Sequence, residues 1–429
     1  MTTALVVVAF VAAYTLIATE RVNQVAAALG GAAAMVLLGV VDVHVAFFSE
    51  QTGVDWNVVF LLFGMMVIVG VMRQTGVFEY VAIYAAKRAK GRPFRIMVLL
   101  VVITAVASAL LDNVTTVLLI APVSLLVCEQ IDAPPAPFLI AEAMASNIGG
   151  TATLIGDPPN ILIASRSGLT FNDFLVNLAP LIVLLTLVLI GLCRWMFRGA
   201  LTFRPERVEA LMGLEEGEAI RDHSLLLRCG IVLALVLAGF LTQPLTGLEP
   251  SMVALLGAGA LVAISGLSSE EYLGDIEWST LVFFMGLFVM VGALVEVGVI
   301  RHLADAATSA IGDRYFLAST VLLWGSGVLS GVINNIPYVA TMTPLVQQLV
   351  HSAPGTSGNA AWWSLALGAD LGGNATAVGA SANVVVLAIA ARNGVRISFW
   401  HFTRYGIVVA ASTIAVAWVY VALRYFVLA

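Results

Sequence analysis

Long apolar runs separated by short polar stretches organise the whole chain. Runs near 4–19, 24–42 and 56–73 read as helices. They are followed by a helical hairpin with limbs near 95–111 and 114–130, an interrupted helix at about 138–166 and an intact one at 174–196. The same order returns at 227–245, 250–266 and 278–296, then a hairpin near 315–351, an interrupted helix at 362–392 and a last helix at 402–426. A helix needs roughly 20 apolar residues to cross a hydrocarbon core of ~30 Å, and runs of that order recur throughout. The pattern predicts an all-α polytopic membrane protein. Residues 77–92 combine an apolar face with a basic end and read as a helix lying in the interface.

The two series are copies, about 222 residues apart. Trp56, Gly64, Gly70 and Gly76 return as Trp278, Gly286, Gly292 and Gly298. The Asp112-Asn113 pair returns as Asn334-Asn335, and Gly149-Gly150-Thr151-Ala152-Thr153 returns as Gly372-Gly373-Asn374-Ala375-Thr376. Polar, glycine-broken segments at matching places in two apolar halves mark a secondary transporter with its site between the repeats. Five crossings per half is an odd number, so the halves are expected to be inverted repeats, each of five transmembrane helices plus a re-entrant hairpin and a broken helix. The expected units are a first membrane repeat at 1–196, a cytoplasmic linker at 197–226 and a second membrane repeat at 227–429.

Composition agrees with this and charge orients it. Hydrophobic residues make up 60% of the chain and charged ones 11%, with a mean hydropathy of +1.00, which excludes an ordinary soluble domain. The run Thr3 to Ile17 lacks a basic flank and a small-residue cleavage site, so it reads as a retained span. The expected topology places 16 of the 20 Lys and Arg in the cytoplasm and leaves Arg166, Arg301, Arg314 and Arg424 outside. That is the positive-inside bias, and it puts both termini outside a plasma or inner membrane. The acidic loop 268–277 is cytoplasmic in the same topology. Cys128, Cys193 and Cys229 are far apart, the five histidines show no ligand spacing, and no nucleotide-binding P-loop is present. No cofactor, metal, enzymatic chemistry or nucleic-acid partner is expected.

The chemistry concentrates at the breaks. Asp112-Asn113 and Asn334-Asn335 fall midway through apolar stretches, where an ionisable group costs roughly 2.5–3.5 kcal/mol on insertion scales and must face protein, water or ligand. At a hairpin tip, free backbone groups at the helix ends join them. Helix capping is the structural alternative. Gly149 through Asn160 includes Asp157-Pro158-Pro159 and cannot form a continuous helix. Its backbone, with Thr151, Thr153 and Asn160, makes a polar cradle. The second copy supplies Gly372, Gly373, Asn374, Thr376, Ser381 and Asn383. Asp112, Asp157 and Asp370 are intramembrane carboxylates with no Lys or Arg in these motifs. Burial favours their neutral form and nearby half-helix N-termini the ionised one. Each is a candidate proton carrier or cation ligand; Glu142 is either a fourth intramembrane carboxylate or, with Glu129, one near the cytoplasmic interface.

The segments L-D-N-V-T-T-V-L-L at 111–119, N-I-G-G-T-A-T-L-I-G-D-P-P-N at 147–160, N-N-I-P at 334–337 and L-G-G-N-A-T-A-V-G-A-S-A-N at 371–383 resemble the arsenite-efflux permease family (ArsB-type). They also resemble the melanosomal P protein branch of the same ion transporter superfamily. The resemblance implies a scaffold carrying two mobile units, each a hairpin with a broken helix. It also implies that Asn113, Thr115 and Thr116 at one tip and Asn335 at the other contact substrate or coupling ion. The Ser-Asn-Thr tips of the superfamily's dicarboxylate carriers are replaced here, which disfavours sodium coupling and favours protons. The expected function is proton-coupled efflux of arsenite or antimonite by alternating access. The alternatives are a proton- or sodium-coupled anion or silicate carrier, or a channel. Family members also suggest a homodimer and an accessory ATPase partner.

Overall fold

Helix starts are written into the sequence. The Asp55 carboxylate accepts from the Asn57 and Val58 amides and caps helix Trp56–Arg73, and Asp222 caps His223–Leu241 in the same way. A capping box of Thr170 and Asp173 opens Phe171–Met196, while prolines open Pro93–Leu110, Pro135–Gly150, Pro158–Ser167 and Pro250–Ser265. The computed structural model describes residues 2–19, 21–49, 52–203, 212–213, 215–312, 314–351 and 356–428, and contains no strand among them. Arg204 and Arg207 of the expected linker, and the Ala429 terminus, lie outside the described residues. Among the described residues, eight helices are long and apolar enough to cross a membrane, and shorter apolar helices, such as Gln24–Leu37 and Ser381–Arg392, lie among them.

Both hairpins and both broken helices are present. The first hairpin has limbs Pro93–Leu110 and Asn113–Gln130, the second Tyr315–Val332 and Asn335–His351. The first broken helix is Pro135–Gly150 and Pro158–Ser167, the second Thr356–Gly372 and Ser381–Arg392. The expected interfacial helix is shorter than its apolar pattern, Val77–Arg88, because Lys90 takes a positive φ and Pro93 starts the next helix. The second half has a matching arm, Val299–Ile311, that the sequence reading passed over.

The halves exchange partners. Helix Trp56–Arg73 packs on Pro250–Ser265 of the other half, and Trp278–Glu296 packs on Gln24–Leu37. Polar contacts then sort the loops onto two faces. On one face Arg73 pairs with Asp275 at 2.7 Å, the Arg221 amide donates to the Thr75 carbonyl, and Lys87 bonds Glu216, whose carboxyl is held below its usual range by that lysine. On the other face Thr52 donates to Glu296 at 2.9 Å and Gln347 to the Arg166 carbonyl. The ends of the first hairpin lie with the first set and those of the second hairpin with the second set.

Candidate functional site

Each break is tied to its own hairpin by the same bonds. Ser108 donates to the Ser146 carbonyl and Ser330 to the Ala369 carbonyl, both at 2.6 Å. Thr153 donates to the Ala109 carbonyl and Thr376 to the Gly331 carbonyl, again both at 2.6 Å. Asn160 donates to the Gly150 and Thr153 carbonyls, and Asn383 to those of Gly373 and Thr376. These side chains satisfy the backbone that the break exposes, which is what a break at membrane depth requires. Gly149 and Gly372 sit so close to the hairpin carbonyls of Ala105 and Gly327 that a Cβ at either would collide with backbone.

Between the halves the polar groups converge. Asp157, at the N-cap of Pro158–Ser167, is buried and makes no cap bond. Instead its carboxylate accepts from Asn113 at 2.9 Å and from Asn335 at 3.4 Å, one amide from each hairpin tip. Asn147 takes the Asn113 amide at 3.3 Å and donates across to Asn374 at 3.1 Å and Asn383 at 2.9 Å. Asp370 stands where the second half repeats Asn147, and lies beside Thr151 and Asn160, the counterparts of Asn374 and Asn383. The Thr151 hydroxyl and Asn160 amide approach it without closing well-formed hydrogen bonds, and among the described residues Asn113 Oδ1, Asn160 Oδ1, Thr116 Oγ1 and Asn374 Nδ2 are also buried without a partner. Unpaired buried polar atoms in one cluster are free to meet a proton, water or solute.

A vestibule of about 560 Å³ opens beside this cluster on the face that carries Asp275. It is lined by Arg21, Asn23, Gln24, Glu277, Thr280, Asn334 and Ser381, among others, with Asn334 donating to Ser381 at 3.1 Å. Glu277, just before helix Trp278–Glu296, has its carboxyl raised to about 7 by partial burial and by Asp112 nearby. A pocket on the opposite face, lined by Thr52, Arg166 and Thr343, has a volume of only about 30 Å³.

Of the residues expected from the sequence, Asn113, Asp157, Asn335, Asn374, Asn383, Asp370, Thr151 and Asn160 come together in the buried cluster. Asn334 and Ser381 face the vestibule. Asp112 caps the second limb of its hairpin, accepting from the Thr115 amide at 2.8 Å. Thr153, Thr376, Gly149, Gly150, Gly372 and Gly373 hold the breaks together. Glu142 is wholly buried, bonded by Ser124 of the first hairpin and apart from the cluster. Asn147 and the vestibule residues Arg21 and Glu277 went unselected. Asn147 had a signal, since it precedes the first Gly-Gly as Asp370 precedes the second.

A protein-family model described as citrate transporter matches residues 14–368. An uncharacterized transporter of Mycobacterium tuberculosis is 59% identical over 420 residues, covering 98% of each chain. The 46 kDa membrane protein of Mycobacterium leprae is 56% identical over 420 residues, with 98% of each chain covered. The mouse P protein is 33% identical over 494 residues, covering 96% of this chain and 59% of its own length. Among solved structures, the Alcanivorax borkumensis YdaH transporter superposes with a TM-score of 0.56 at 17% identity, covering 85% of this chain and 84% of that one, a likeness of fold. With most of its length matched, and with the helices and breaks of a membrane transporter, this chain belongs to the citrate transporter family.

Proposed function

We propose that this protein is a proton-coupled secondary transporter working by alternating access, with substrate and proton competing for the cluster at Asp157. The observation that carries this reading is the convergence of both hairpin tips on one carboxylate at a helix break. The two halves act as inverted repeats, with the vestibule face cytoplasmic and the site open to that side. The positive-inside distribution supports this orientation, as does the placing of the hairpin ends on opposite faces. Cysteines introduced at Lys90 and Glu216 should react only with reagent that enters the cell; reaction from outside would overturn the orientation.

The cluster holds amides, hydroxyls and carboxylates but no Lys or Arg, so it suits a solute that arrives with little net charge. Arsenous and antimonous acids, neutral polyhydroxyl molecules at pH 7, meet that demand and would be exported. Membership of the citrate transporter family favours a second substrate reading, a carboxylate anion whose charge is offset by protons or a bound cation. Everted vesicles given arsenite, antimonite, silicate, citrate and succinate under imposed proton or sodium gradients separate these readings. Gradient-independent, unsaturable flux would mark a channel and overturn alternating access.

A further inference from the structure

The two arms differ in what covers them. The first arm, Val77–Arg88, is clasped by the linker: Lys87 bonds Glu216, and Gly76 packs so tightly on the Ala219 carbonyl that a Cβ would not fit. Ile96 and Met97 of the first hairpin limb and Phe138 of the first broken helix are fully buried, on two helices that pack together. At the corresponding positions the second half has Ala318, Ser319 and Ala361. The arm Val299–Ile311 there has no linker segment among the described residues, and Gly298 has open space where Gly76 has a wall. The result is a groove of about 370 Å³ between the arm, both hairpin limbs and the broken helix. Its walls include Ala307, Ile311, Ala318, Leu322, Val350 and Ala361, with Arg314 at the rim.

Three features identify what fits. The walls are almost wholly apolar, and neighbouring Leu317 and Val321 are exposed on the same limb, so the groove opens where hydrocarbon surrounds the protein. Arg314 stands at the end of that limb, exposed and without an ion-pair partner among the described residues; its guanidinium donates to the Ala310 and Ile311 carbonyls at the end of the arm, which holds its charge at the mouth of the groove. The void occupies the place of three large side chains, which suits a flexible chain rather than a folded partner.

We propose that this groove is a phospholipid site: one acyl chain lies between arm and hairpin in place of the missing side chains, and the phosphate meets Arg314. The lipid then completes the second half as Ile96, Met97 and Phe138 complete the first.

Purified full-length protein in vesicles containing phosphatidylglycerol with a photoreactive acyl chain tests this, with cross-linked residues mapped by mass spectrometry. Labelling should concentrate on Ala307, Ile311, Ala318, Leu322, Val350 and Ala361, at least about tenfold above helix Phe171–Met196, which also faces lipid. Ala318→Ile and Ala361→Phe, which restore the first-half residues, should remove most of it while leaving thermal unfolding near that of the wild type. Diacylglycerol bearing the same chain should label several-fold less, and Arg314→Gln should abolish that difference. Uniform labelling around the protein, or labelling indifferent to Ala318→Ile and Ala361→Phe in folded protein, would mean ordinary boundary lipid and overturn the site. Cross-links to a second copy of the chain would assign the groove to a dimer instead, and a headgroup preference that survives Arg314→Gln would remove the phosphate contact.

Discussion

The first half and the second half share a backbone plan but not their chemistry. Bond for bond, Ser108, Thr153 and Asn160 do in one half what Ser330, Thr376 and Asn383 do in the other. The differences lie in a few charged or bulky positions. Asp157 is answered by Ala380, Asn147 by Asp370 and Asp112 by Asn334. Buried Thr104 and Thr116 leave both hydroxyls unpaired, where Ser326 and Tyr338 bond each other at 2.9 Å. Asp55 caps a helix, while its counterpart Glu277 makes no cap bond and lines the vestibule. Duplication thus built a symmetric frame, because backbone at a break must be satisfied in both copies alike. The carboxylates break that symmetry, since Asp157 and Asp370 enter the cluster from positions that do not correspond.

The sharpest way to break the comparison is to erase its main asymmetry. Asp157→Ala copies Ala380 and strands the amides of both tips. A hydrogen bond to a charged group is worth about 1.5–3 kcal/mol, and ~1.4 kcal/mol is tenfold, so substrate transport should fall by roughly 10- to 100-fold in a vesicle assay. Wild-type flux in that variant would show that the convergence on Asp157 is architectural only.

Asn147→Ala tests whether the halves are laced together, since Asn147 donates to Asn374 and Asn383 across the repeat boundary. Leaving buried partners unsatisfied costs about 1–3 kcal/mol, so the Tm in detergent should drop. An unchanged Tm would mean that the repeats hold together without this bridge. Asn113→Ala and Asn335→Ala then compare the tips themselves. Each should weaken substrate binding by about 1–3 kcal/mol, and Asn113→Ala more, because its bond to Asp157 is 2.9 Å against 3.4 Å. The reverse order, measured by isothermal titration, would make the second tip the dominant contact.

The smallest effect concerns Glu277, raised to about 7 in the folded protein. A carboxyl with a raised folded pKa binds its proton more tightly when folded, so its contribution is present at low pH and is lost as pH rises towards 7. Wild-type Tm should therefore decline slightly more than that of Glu277→Gln between pH 5 and 8. Parallel curves would mean that Glu277 binds its proton no more tightly in the folded protein than in the unfolded chain.

Much of the plan was legible in the residues themselves. Apolar run length gives the long apolar helices, because a run of that composition is stable only when its backbone bonds are made within the helix. Asp157-Pro158-Pro159 gives the first break, because proline cannot continue the ladder, and the repeated Gly-Gly gives its partner. Asn113 and Asn335 stood out because amides at that depth need a reason. Three things were not legible. That Thr153 and Thr376 lash the breaks rather than face a cavity depends on which carbonyl each hydroxyl reaches. That Asn147 bridges the halves depends on the second broken helix, 227 and 236 residues away in sequence at Asn374 and Asn383. The groove beside Val299–Ile311 exists because Ala318, Ser319 and Ala361 meet there, and none of these small residues is unusual in its own helix. Local sequence sets where helices start, break and cross, because caps, prolines and hydrophobic length act within a turn or two. Which polar groups share a proton-sized space, and which space stays empty, was decided only when distant segments packed, because hydrogen bonding and filling of volume depend on ångström-scale approach between them.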